Sequence, residues 1–141
     1  MLNVKIICVG TLRESYLRDA VKEYEKRLQA YCKLTTAELK DDKALLSAIE
    51  GKGYKIALCV EGKQISSTEL ATVIENGTVA GQGTIYLVIG GADGLPENVK
   101  TACDMRLSFS KMTFPHQLMR VILLEQLYRA LNISAGGHYH H

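Results

Sequence analysis

Two short segments of this 141-residue chain carry residue types at spacings that suit chemistry on a small ligand. The first is Gly90-Gly91-Ala92-Asp93-Gly94-Leu95-Pro96, directly after the apolar run Thr84 to Ile89. Glycines admit positive φ and leave the main chain bare, so a ligand can approach backbone N–H and C=O groups directly. The same residues equally suit a tight strand-to-helix turn. The second is Thr113-Phe114-Pro115-His116-Gln117-Leu118-Met119-Arg120, a proline in a first helical turn followed by a histidine that either caps, packs or meets a ligand. The chain ends in His138-Tyr139-His140-His141, whose histidines have no acidic or cysteine companions, so no metal is expected there.

Other chemistries are excluded by what the loops lack. The turn after the first apolar run, Gly10 to Ser15, has one glycine where a dinucleotide fingerprint needs three. There is no GxxxxGK[ST] for a phosphate cradle, no HExxH, no GxSxG and no paired-carboxylate motif.

The elements that must position these segments are legible from periodicity. Met1 to Val9 reads as a strand closed by Gly10, and Ser15 to Cys32 as an amphipathic helix with Glu, Lys and Arg on its outer face. Leu34 to Leu39 is an edge-strand candidate, and Asp41 and Asp42 suit the cap of a helix through Glu50. Tyr54 to Val60 is a strong strand. Ser66-Ser67-Thr68-Glu69 is a capping box opening a helix that ends near Asn76-Gly77. Thr84 to Ile89 reads as a strand covered on both faces. A short helix after Pro96, a strand over Met105 to Phe109 and a long helix from His116 to about Ile133 complete the set. Alternating strands and helices define an α/β class: three layers around a mainly parallel sheet. Ligands of such sheets sit at the carboxyl ends of the strands. Three loops there, Val60 to Gly62, Gly90 to Gly94 and Ser110 to Pro115, are expected to converge on one pocket. The last helix is apolar around most of its circumference, so a chain end or another subunit should cover it.

Composition narrows the setting. A chain of this length suits one domain, 1–141. The formal charge of +2 argues against a broad basic face, and the basic residues Arg13 to Arg27 are interleaved with acids as on a solvated helix. Four scattered cysteines without a CxxC pair read as small buried apolar groups in a reducing compartment. No run reaches the ~20 apolar residues of a membrane span, and the expected location is cytoplasmic.

Together the segments Ile89 to Leu95, Ser108 to Arg120, Leu124 to Ala130 and Tyr139-His140 resemble the RlmH family, with Val4 to Gly10 and Tyr24 to Leu28 in agreement. That family comprises 23S ribosomal RNA pseudouridine N3-methyltransferases of the SPOUT superfamily. The resemblance spans nearly the whole chain. It implies an α/β fold with a C-terminal trefoil knot, a homodimer, and S-adenosylmethionine as methyl donor with no metal. The substrate it implies is 23S rRNA within the assembled ribosome. It assigns the cofactor to Leu58, Gly90, Gly91 and the segment Phe109, Ser110, Lys111, Met112, Thr113 and Phe114, largely through main-chain groups. For catalysis it points to Tyr139, His140 and Arg120, the tail closing over the cofactor. Arg120 and Arg129 either grip phosphates or pair with Glu125.

The sequence departs from the family at His141 (usually basic), at His138 (commonly proline), near Gly136-Gly137 (often acidic) and at Cys59 (usually Asp). Other readings are a SPOUT methyltransferase acting on another RNA, a knotted dimeric binding module without catalysis, and a flavodoxin-like nucleotide binder. The turn after Gly10 argues against the last.

Overall fold

In the computed structural model, which describes residues 1–137, five strands form one sheet in the order β2-β1-β4-β3-β5, and every pairing is parallel. The strands are β1 (Leu2–Val9), β2 (Cys32–Leu39), β3 (Tyr54–Gln64), β4 (Thr84–Ile89) and β5 (Met105–Ser108). The helices are α1 (Ser15–Leu28), α2 (Leu45–Ala48), α3 (Ser67–Ala80), α4 (Glu97–Ala102) and α5 (His116–Ser134). β2 lies at one edge of the sheet, as its polar alternation predicts.

Alternation along the central strand separates two cores. Ile85, Leu87 and Ile89 of β4 join Val4, Ile6 and Cys8 of β1 under α1, α3 and α5. Tyr86 and Val88 join Ile7 and Ala57 on the opposite face, beneath Leu45 and Ile49 near α2 and Leu95 and Val99 near α4. Both faces of β4 are therefore covered, which is why its sequence is apolar without alternation.

Four elements depart most from the expectations of periodicity, three of them for a tertiary reason. α1 stops at Leu28 because Cys32 is the register partner of Leu2 and belongs to the sheet. Asp41 caps a 3₁₀ turn, Asp42–Ala44, by accepting from the Lys43 N–H, and only one further turn, α2, follows it. β3 runs on to Gln64 because Lys63 and Gln64 pair with Leu107 and Ser108 of β5. Leu107 is the register partner of both Leu58 and Lys63, so the four residues between them, 59–62, bulge out of the ladder. Gly62 lies so close there that a Cβ would stand 2.6 Å from the Leu107 carbonyl carbon.

α3 begins with the expected capping box but continues through Gly77 to Ala80. Gly77 is buried, and a Cβ there would come within 2.8 Å of the Tyr54 ring. The glycine is thus a point of close helix–strand packing and not a stop. Two effects of Gly77→Ala compete. Helix propensity favours alanine by about 1 kcal/mol, while overpacking a core costs typically 1–3 kcal/mol. Because the obstructing atoms belong to the body of a ring, overpacking should win. Urea denaturation of this variant is expected to show a net loss of about 1 kcal/mol; a gain in stability would mean that the Tyr54 ring moves freely.

Candidate active site

The carboxyl ends of β3, β4 and β5 open into one cavity of about 470 Å³. That volume lies within the roughly 300–1,000 Å³ of small-molecule pockets. Three chain segments form its walls: Leu58 to Glu61 from the end of β3 and its bulge, Ile89 to Leu95 after β4, and Leu107 to His116 from β5 to the start of α5. Lys100 of α4 and Met119 of α5 complete the lining. The three loops expected to converge do so.

Each wall is fixed locally. Gly90 leaves β4 directly against the returning strand of its own loop: a Cβ would stand 2.4 Å from the Gly94 carbonyl carbon and 2.7 Å from the Leu95 nitrogen. The Gly94 N–H donates to the Gly91 carbonyl at 3.0 Å, and Gly94 has φ +79°, which a side chain disfavours. On the opposite wall the Ser108 hydroxyl donates to the Ser110 carbonyl at 2.9 Å, and the Ser110 Oγ accepts from the Met112 N–H at 2.9 Å. The Gln117 Oε1 accepts from the Arg13 N–H at 3.0 Å and ties the start of α5 to the loop before α1.

The charged groups lie to one side. Lys100 is hydrogen-bonded to Glu61 and stands 3.4 Å from Glu97, which also accepts from Arg106 at 2.9 Å. The hydrogen bond from Lys100 lowers the Glu61 pKa below the usual carboxylate range, and the same bond raises that of Lys100. Burial, reinforced by the Glu61 charge, pushes the Cys59 thiol up. At neutral pH Cys59 is therefore a thiol, poorly suited to nucleophilic attack.

Of the residues singled out in the sequence, Leu58, Gly90, Gly91, Phe109, Ser110, Met112, Thr113 and Phe114 all line the cavity. Lys111 is exposed beside them and does not line it. Arg120 is buried at 8% exposure and donates to Glu38 of β2 at 2.6 Å, whereas Arg129 donates to Glu125 at 2.6 Å. Tyr139 and His140, together with His138 and His141, lie outside the described residues. Sequence reasoning did not single out Lys100. No local signal marked it, because its place in the lining depends on α4 starting where the glycine loop ends and on the bulge of β3 across from it. Among the described residues no group of three or more His, Cys, Asp or Glu is placed to hold a metal, and no helix is long and apolar enough to cross a membrane.

The open parallel α/β fold is shared with solved methylase structures. A probable methylase family protein from Haemophilus influenzae Rd KW20 superposes with a TM-score of 0.64 at 14% identity, over 94% of this chain and 68% of that one. A probable methyltransferase from Bordetella pertussis Tohama I gives 0.59 at 10% identity, over 91% and 95% of the two chains. These likenesses establish the fold. Residues 2–140 match the family described as predicted SPOUT methyltransferase. A Clostridium novyi (strain NT) protein named ribosomal RNA large subunit methyltransferase H is 48% identical over 158 aligned positions, 99% of both chains. One of the same name from Clostridioides difficile (strain 630) is 42% identical with the same coverage. The chain belongs to the SPOUT methyltransferases and, among them, to the ribosomal RNA large subunit methyltransferase H family.

The two glycines after β4 offer a controlled comparison. Gly90→Ala drives a Cβ into backbone that cannot rotate away, and should cost about 1–3 kcal/mol. At Gly91 the nearest atom to a Cβ is the Val9 Cγ1 at 3.5 Å, an ordinary contact, so Gly91→Ala should be neutral or gain up to about 1 kcal/mol from the stiffened unfolded chain. Urea midpoints of the two variants test the contrast; equal midpoints would contradict the packing described for Gly90.

Proposed function

We propose that this chain is an S-adenosylmethionine-dependent methyltransferase that modifies N3 of a pseudouridine in 23S rRNA. It works on the assembled ribosome, as a cytoplasmic homodimer built from a single knotted domain spanning residues 1–141. The observation that carries the reading is the one cavity at the ends of β3, β4 and β5, in a chain of this family. Main chain from Gly90 to Gly94 and from Phe109 to Phe114 borders it, with Leu58, Met112 and Phe114 as apolar walls. That combination suits a flat heteroaromatic ring whose edge is read by backbone groups and whose faces need apolar contact.

The sulfonium of the cofactor supplies an electrophilic methyl group without help from a metal. The work left to the protein is alignment, exclusion of water and management of one proton. Pseudouridine N3 carries a weakly acidic imide proton that must leave before or during transfer. The family resemblance assigns Tyr139 and His140, which lie outside the described residues, to that end of the reaction. Arg120 is the third. Held against Glu38, it fixes the first turns of α5 behind the loop 109–115 and so acts on the reaction by position. The exposed side chains of Met112 (75%) and Phe114 (37%) at the mouth, with Leu118 (37%) beside them on α5, support cover by a second subunit or the tail.

The near-neutral charge favours recognition of a preassembled ribosome by shape over tight binding of free RNA.

Calorimetry with S-adenosylhomocysteine should give saturable binding to the full chain. Deleting residues 138–141 should leave folding and that binding intact while abolishing methyl transfer to ribosomes. Full activity of the truncated protein would remove Tyr139 and His140 from the mechanism. Transfer to free tRNA without ribosomes would favour the alternative substrate, and binding without any transfer would favour a module that only binds.

A further inference from the structure

One part of the cavity is not accounted for by the backbone and apolar walls. Lys100 lines it from α4 and Glu61 lines it from the bulge of β3, and the two are hydrogen-bonded to each other. The Lys100 side chain is only 14% exposed, whereas that of Glu61 is 53% exposed. Around them the cluster closes through Glu97, 3.4 Å from Lys100, and Arg106, which donates to Glu97 at 2.9 Å and to the Thr101 hydroxyl at 3.5 Å. Two cations and two carboxylates thus sum to no net charge. Cys59, Asp93 and His116 are the other titratable side chains of the lining, and Lys100 is its one formal cation among the described residues.

Lys100 and Glu61 form an ion pair at the cavity, beside the carboxylate of Asp93, and such a pair suits neither a phosphate nor a polyamine. It suits a zwitterion. An ammonium group has three donors, and Lys100 directs its own at two carboxylates, so one remains for a third acceptor. Glu61 receives Lys100 on Oε1, and its half-exposed carboxylate has lone pairs to accept a further donor. A ligand that carries a carboxylate and an ammonium on one carbon can meet both and exchange charges with the pair without leaving any group unpaired. Docking of this kind keeps the largely covered Lys100 ammonium matched by a carboxylate.

The geometry points to Lys100 and Glu61 as the subsite for the α-amino-acid end of the cofactor, with Lys100 on its carboxylate and Glu61 on its ammonium group. This rests on the reading of the cavity as an S-adenosylmethionine site. It assigns the methionine half of the ligand to side chains, and leaves the adenosine half to main chain and apolar walls. Glu97 and Arg106 are positioning residues: they hold Lys100 at the rim from the outer side.

The test uses two probes of the same cavity on the full-length protein. S-Adenosylhomocysteine carries the amino-acid end; 5′-methylthioadenosine has the adenosine and the sulfur without it. Lys100→Met and Glu61→Gln should each weaken S-adenosylhomocysteine by about tenfold or more, as expected for a hydrogen bond to a charged group. Both should leave 5′-methylthioadenosine within about twofold of the unaltered protein, and Lys100→Arg should recover part of the loss. Equal weakening of both probes would overturn the assignment, since the pair would then only shape the pocket. No weakening of either would overturn it too. If the unaltered protein binds neither probe, the cofactor reading itself fails and takes the subsite with it; if it binds 5′-methylthioadenosine as tightly as S-adenosylhomocysteine, the cavity stands and only the subsite falls.

Discussion

The interaction on which the site depends is the burial of β4 on both faces. Ile85, Leu87 and Ile89 are held by the helices α1, α3 and α5, while Tyr86 and Val88 are held by the opposite core. A strand gripped from both sides cannot shift, tilt or slip register, because a slip of one residue would exchange its two core faces. Its carboxyl end is therefore a fixed point. Everything at that end must accommodate it, and the sequence does so with Gly90, where the chain turns back so sharply that Gly94 and Leu95 occupy the space of a side chain. The pocket floor is thus a by-product of core packing, and its rigidity needs no contribution from a ligand.

β3 and β5 are tied to that fixed point less directly. β3 borders β4 over Tyr54 to Ala57, and β5 borders β3, so the third wall is two strands removed from the anchor. The fold compensates with the bulge at 59–62 and the backbone contact of Gly62 with Leu107, which lock β3 and β5 together beside the cavity. The same bulge presents Glu61 to the pocket. One irregularity in a ladder thereby fixes a wall and delivers a charge, as bulges near active sites commonly re-aim a side chain.

What was legible in the sequence follows from this hierarchy. Local signals sufficed where one element decides its own ends: the capping box at Ser66, the apolar run of β4, Pro96 before α4. They failed where another element decides. Cys32 continues a helical pattern but is claimed by Leu2 of the sheet, and Gly77 looks like a helix stop but makes room for Tyr54. The glycine loop and the 110–115 loop could be read because glycine after a buried strand, and proline before a helix, have mechanical meanings, whereas the assignment over 109–114 came from the family resemblance. Lys100 could not, because its role exists only once the bulge of β3 brings Glu61 across to α4. Pairings between elements far apart in the chain, such as Arg120 with Glu38, leave no local trace of any kind.

The last helix joins these strands of argument. Leu123, Leu124, Leu127, Ala130 and Leu131 of α5 are buried against α1 and α3, so its core side is fully used. Yet Val121, Ile122 and Ile133 are only partly covered, and Leu118 is exposed. Apolar residues placed beyond the need of the chain's own core cost solubility, and they are retained where something covers them. Leu118 follows closely on Pro115 and His116 of the pocket lining, with Met112 and Phe114 just ahead of it. Whatever covers the start of α5 therefore also closes the mouth of the cavity. Cover of this part of the helix and exclusion of water from the site would then be one event, the condition under which a methyl-transfer site is dry and aligned.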